Sequence, residues 1–224
     1  MTGWTDKDSK LPRFRALYEQ DDFLTAYAKH TDLRVRDDPK WAIGRGDEWE
    51  THGKLQLKFL RELGLKPAHA LLDIGCGVGR AARRFVPYLE PEHYVGTDIS
   101  PAALRHAEQL AVEEGWADRQ PRFFANADLA LIESFDYLWA HSVFTHLPAE
   151  QIKTMLRNAR PRTRIAFAFT FKERPRPIRT GLKQFGYPFA FIQSLARDAG
   201  FDAVRHSMVF PATQPTIVCR PSPA

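Results

Sequence analysis

Three glycines and two acids form the first group in this chain whose types and spacing could do chemistry. Gly75, Gly77 and Gly79 alternate directly after the apolar run Leu71-Leu72-Asp73-Ile74, and Asp98 closes a second apolar run, Tyr94-Val95-Gly96-Thr97. Glycines at this spacing let a strand turn sharply, bring bare backbone up to a ligand and enter a helix. An acid ending the next strand can accept hydrogen bonds from both ribose hydroxyls of an adenosine ligand on that turn. A second group, His141-Ser142-Val143-Phe144-Thr145-His146-Leu147, follows a later apolar run and offers two imidazoles for proton transfer.

The elements that must position these groups read as a doubly wound α/β sheet. Strands are expected over 71–74, 94–98, 122–125, 135–140, 164–171, 201–210 and 216–219, with helices between most of them. Ser100-Pro101 supplies an N-cap and a first-turn proline. Before residue 67, apolar residues at helical spacing predict one or two helices over 11–30 and another from Trp49 to Gly64, forming a helical cap over one sheet edge. Prolines and charges in 172–179 predict a basic loop. With 224 residues, 44% hydrophobic and 26% charged, the chain suits one globular α/β domain rather than two.

Lys and Arg outnumber Asp and Glu by 32 to 27, which permits anionic ligands without demanding nucleic acid. Two cysteines, Cys76 and Cys219, show no metal-ligand spacing, so neither a disulfide scaffold nor a structural zinc is expected. No apolar run could span a bilayer and the start lacks a secretory pattern, so a soluble, cytoplasmic protein is expected.

Glycine spacing separates two cofactor classes. A dinucleotide fingerprint counted from Gly75 needs Gly or Ala at position 80, where bulky Arg80 stands, and there is no Tyr-x-x-x-Lys pair. The stretch Leu71-Leu72-Asp73-Ile74-Gly75-Cys76-Gly77-Val78-Gly79-Arg80 instead resembles the first motif of the class I S-adenosylmethionine (SAM)-dependent methyltransferases, and Asp98 matches their second-strand acid. The resemblance runs through Asn126-Ala127-Asp128, Phe135-Asp136 and residues 142–148, covering about 70–220. Upstream, Ile43-Gly44-Arg45-Gly46-Asp47 is similar to the cap loop of a subgroup of small-molecule and sugar methyltransferases.

That resemblance implies a Rossmann-like fold: a seven-stranded, mostly parallel sheet with an antiparallel last strand, an N-terminal helical cap over 1–66 and a SAM-binding core over 67–224. It implies SAM as cofactor, S-adenosylhomocysteine as product, and a hydroxyl or amine of a small molecule as acceptor. Asp73 would hold the methionine ammonium, Gly75 and Gly77 would line methionine and ribose, and Gly79 would also contact the cofactor. Asp98 would take the ribose hydroxyls and Ile99 the adenine face. Asn126 or Asp128 would meet the adenine amine, with Ala127 giving backbone contact; the motif aligns two ways and leaves that pair open. Arg45 would clamp the methionine carboxylate or stand solvated in its loop.

For methyl transfer, His146 is the first candidate base, because it follows the fourth strand at the ligand-binding edge and an ordinary pKa of about 6.5 suits it. His141 is the second candidate base and a cofactor-side candidate. Phe144 and Tyr187 are expected near the acceptor, and Lys172 and Arg174 of the basic loop would greet an anionic acceptor. No Asp/Asn-Pro-Pro-aromatic motif follows the fourth strand, no Pro-Cys nucleophile is present, and no acid-histidine cluster suggests a catalytic metal. An RNA methyltransferase using the basic rim, or a non-catalytic domain retaining the cofactor pocket, are the alternatives.

Overall fold

The computed structural model describes residues 7–39, 49–126, 128–130 and 133–223. Seven strands form one sheet: β1 (Leu71–Ile74), β2 (Tyr94–Asp98), β3 (Arg122–Ala125), β4 (Phe135–Ala140), β5 (Thr163–Thr170), β8 (Phe201–Phe210) and β9 (Gln214–Pro221). Their order is β3-β2-β1-β4-β5-β9-β8. The pairs among β1 to β5 are parallel, and β9 runs antiparallel to both neighbours. The order reverses beside β1, so β1 and β4 part their following loops and open a crevice at the carboxyl edge.

Alternation along the strands sorts the core into two faces. Leu72, Ile74, Leu138, Phe167 and Phe169 face α6 (Ala149–Ala159) and α7 (Phe189–Asp198). Leu71, Trp139, Ala166 and Ala168 face α3 (Trp49–Glu62) and α4 (Ala82–Tyr88). Small alanines on β5 make room on the second face for Trp139 and Phe59, whose rings lie 5.1 Å apart.

The N-terminal segment therefore divides. Helix α3 buries Phe59 and Leu60 in the sheet's second face, while α2 (Phe23–Asp37) lines the crevice and α1 (Pro12–Gln20) packs on α2, Phe14 stacking on His30. Asp22 caps α2 by accepting from the Leu24 and Thr25 amides. Farther along α2, Asp32 accepts from the Ser100 hydroxyl at 2.5 Å and the Ala102 amide at 3.0 Å, fixing this helix to the first turn of α5 (Pro101–Glu113) beside the end of β2.

The predicted basic loop is partly a hairpin, β6 (Ile178–Gly181) with β7 (Gln184–Gly186). Its prolines precede it, and alternating Ile178 and Thr180 was too short a signal to stand out from the charged run.

Candidate functional site

A cavity of about 320 Å³ opens at the carboxyl edge of β1, β2 and β4. Its floor is the turn Gly75-Cys76-Gly77. The Gly75 and Cys76 amides donate to the Thr97 carbonyl, and the Gly77 amide donates to Asp98 Oδ2 at 2.9 Å, pinning the turn to β2. Gly75 has φ +70°, and a Cβ there would stand 2.4 Å from Val143 Cγ2, so only glycine fits. Gly79 serves a different purpose from the one expected. It does not line the cavity; a Cβ on it would strike Leu110 Cδ2 at 2.8 Å, so it lets α5 pack close.

Asp73, Asp98 and Ile99 all line the cavity. Burial pushes the Asp73 carboxyl up to about 7, against the hydrogen bond it accepts from the buried Tyr94 hydroxyl at 2.8 Å and the nearby Arg80 charge. Asp98 is also raised by burial, opposed by the Ser100 and Gly77 amides that donate to it.

At the end of β3 the structure separates two residues that sequence left paired. Asn126 lines the cavity, whereas Asp128 accepts from the Ala130 amide within its own loop. Asn126 Oδ1 already accepts from the Asp128 and Leu129 amides at 3.1 and 2.6 Å, so the side chain turns its NH₂ donor outward, not an acceptor. Ala127 and Arg45, with its loop 43–47, lie outside the described residues.

After β4, Ser142 adopts φ +62°, a left-handed conformation for a non-glycine residue. It is held by its amide donating to Thr170 Oγ1 at 2.7 Å and by Gln214 Nε2 donating to Ser142 Oγ at 3.0 Å. This kink aims both histidines at the cavity, and both line it.

His146 Nδ1 stands 2.7 Å from the Lys183 carbonyl, which can only accept; Nδ1 therefore carries the proton and Nε2 is the bare acceptor. Burial, reinforced by the Lys183 charge, pushes His146 down to about 3. The expectation of a base near 6.5 is corrected: the ring stays neutral and takes up a proton reluctantly.

His141 Nδ1 accepts from Arg80 Nη2 at 3.2 Å, and His52 Nδ1 accepts from Arg80 Nη1 at 3.3 Å. A guanidinium only donates, so both rings carry their proton on Nε2. Burial holds His141 well below the usual histidine range, with Arg80 adding to the shift. From α3, Gln56 Oε1 accepts the Trp139 indole proton at 2.7 Å.

The other wall comes from the N-terminal segment and the β6–β7 turn: Asp8, Tyr27 and Arg34 beside Lys183. Arg34 stands 3.8 Å from Asp8, and Lys183 Nζ lies 5.1 Å from the Tyr27 ring centre.

Four residues expected near the acceptor are elsewhere. Phe144 is fully buried and stacks on Phe169 at 4.2 Å, so its apolar ring belongs to the core. Tyr187 is buried too, donating to the Leu147 carbonyl and stacking on Phe191. Lys172 and Arg174 do not reach the cavity; Arg174 lies over Gly186 and donates to the Glu173 carbonyl.

Sequence reading missed Gln56, Arg80, Tyr27 and Arg34. One signal was available for Gln56: with His52 it shares the buried stripe of α3 that carries Phe59 and Leu60, a polar pair on an apolar face.

The chain is similar to several methyltransferases. A family model described as a methyltransferase domain matches residues 72–165. Sterol 24-C-methyltransferase ERG6B of Gibberella zeae is 32% identical over 112 residues, 48% of this chain and 26% of that protein. Methyltransferase GfsG of Streptomyces halstedii is 29% identical over 125 residues, 53% of this chain and 44% of that protein. The chain thus spans less than half the length of these relatives. Magnesium protoporphyrin IX methyltransferase from Synechocystis PCC 6803, solved with bound SAM, superposes with TM-score 0.74 at 18% identity, over 90% of this chain and 98% of that one. Among the described residues, no helix is long and apolar enough to cross a membrane.

Proposed function

We propose that the chain carries a methyltransferase domain of the class I, SAM-dependent type, as its similarity to a methyltransferase-domain model over residues 72–165 supports, and that it transfers a methyl group from SAM to a hydroxyl or amine of a small, polar molecule. The observation that carries this reading is that one cavity holds both an adenosine-type half, with Asp98, Ile99 and Asn126, and a second polar half with Tyr27, Arg34, His146 and Lys183.

In this reading Asp98 takes the ribose hydroxyls and Asp73, once ionised, the methionine ammonium. Asn126 donates its NH₂ to an adenine ring nitrogen, since its oxygen is already engaged. When bound, SAM supplies a methyl group already activated on a sulfonium. Placement of the acceptor therefore carries much of the rate. His146 Nε2 accepts a hydrogen bond from the acceptor and orients it, its low basicity making it a poor proton store.

The segment before residue 67 supplies the roof through Asp8 and α2, and the core after it supplies the floor. A roof of this kind favours a small acceptor over a polymer. The sterol and the magnesium porphyrin named for the similar proteins are not carried over: Asp8, Arg34 and Lys183 on the acceptor side favour a charged or strongly polar compound. Cytoplasmic work is consistent with two buried, unbridged thiols, Cys76 and Cys219.

The test is incubation with methyl-labelled SAM and fractionated native extract, followed by mass spectrometry. Label in a low-mass compound supports the reading. Label confined to RNase-sensitive material, or none at all despite SAM binding, contradicts it.

A further inference from the structure

Two buried donors on the cavity wall, His141 Nε2 and Gln56 Nε2, have no hydrogen-bond partner among the described residues. Their chemistry is fixed by their neighbours. Arg80 can only donate to His141 Nδ1, so Nε2–H is the proton-bearing side. Trp139 Nε1 can only donate to Gln56 Oε1, so the orphaned atom is the amide NH₂. A buried donor without an acceptor is costly, so two on one wall point to an acceptor that arrives with a ligand.

The Arg80 guanidinium lines the same cavity and turns this pair into a cationic corner. Asp73, on the same cavity, supplies the opposite sign. An acid at one point and a cluster of donors at another complement an α-amino acid group.

We infer that His141, Gln56 and Arg80 form the seat of the donor's amino-acid carboxylate. The inference rests on the SAM reading above. His141 and Gln56 contribute one neutral N–H donor each and Arg80 the charge. Gln56 reaches the cavity from α3, so the segment before the first strand is part of the donor site and not only its roof. Trp139 and Arg80 act as positioning residues by fixing the amide and the imidazole tautomer.

The experiment compares S-adenosylhomocysteine with its decarboxylated analogue by calorimetry, on the wild-type chain, His141→Phe and Gln56→Met. The analogue keeps adenosine, thioether and ammonium and lacks only the carboxylate. Wild type should prefer S-adenosylhomocysteine at least tenfold, each N–H donor to a carboxylate being worth about that factor. Each variant should lose about tenfold in affinity for S-adenosylhomocysteine while holding its affinity for the analogue, which also reports that the variant is folded. Equal affinities in wild type, or equal losses for both compounds in both variants, would overturn the seat while leaving the SAM reading intact. Wild-type protein that binds neither compound would overturn both.

Discussion

The Tyr94 hydroxyl, buried beneath the glycine turn, donates to Asp73 Oδ2 at 2.8 Å. This bond opposes the burial that raises the carboxyl; with it in place Asp73 stands at about 7, within reach of ionisation near neutrality.

Cofactor affinity should therefore depend on pH. Pairing with the donor's ammonium needs ionised Asp73, so the dissociation constant for S-adenosylhomocysteine should fall about tenfold per unit from pH 5.5 toward 7 and then level. Tyr94→Phe should move the plateau to higher pH. A flat profile in calorimetry would remove Asp73 from the ammonium site.

The same group bears on stability without ligand. Its folded pKa lies above its ordinary 3.8, so the folded chain holds more protons than the unfolded one between 3.8 and about 7. Stability is lost as pH rises through that window, by at most about 4 kcal/mol. Asp73→Asn should flatten this decline in denaturant titrations; a parallel decline in the variant would assign it to other groups.

His146 has the opposite sign. Its folded pKa is depressed, so it contributes stability that is present above the ordinary histidine value and is lost as pH falls toward about 3. Turnover should show no His146 inflection near pH 6.5. His146→Ala should lower kcat more than cofactor affinity, and an inflection near 6.5 that disappears in this variant would restore the ring as a titrating base.

On the aromatic side, Phe144→Ala should cost about 3–5 kcal/mol in urea unfolding, because the ring is fully buried against Phe169. Cofactor affinity of the folded variant should hold. A large affinity loss without destabilisation would return Phe144 to the site.

Around the basic segment, Arg179 lies 5.5 to 5.9 Å from the ring centres of Tyr18, Phe23 and Phe185, tying hairpin to cap. Arg179→Ala should cost about 1–2 kcal/mol of stability. Lys183→Ala should raise the acceptor KM, whereas Arg174→Ala should not; the reverse ranking would move acceptor recognition to the outer loop.

The strands and the glycine turn were legible because strand alternation, glycine spacing and an acid after β2 are local signals that tertiary packing does not override. The cavity residues at the ends of β1 and β2 followed from them, although Gly79 packs against α5 instead of facing the cavity. The acceptor half was not legible. Asp8, Arg34 and Lys183 reach the cavity from three separate segments, and no spacing links them. Phe144 and Tyr187 sit on the right loops, but facing inward or outward there depends on a kink at Ser142 and on a hydrogen bond to the Leu147 carbonyl, neither written in residue type. Basicity of His146 was misjudged because burial, not identity, sets it.

The proposed SAM site at β1 and β2 is organised by Asp98, whose carboxylate also holds the Gly77 and Ser100 amides. Titration of the wild-type chain and Asp98→Ala with S-adenosylhomocysteine probes it without intermediaries. One site per chain is expected in the wild type, and an affinity weaker by about 1.5–3 kcal/mol in the variant. Equal affinities, or wild-type protein that binds NAD in preference to S-adenosylhomocysteine, would rule out this site.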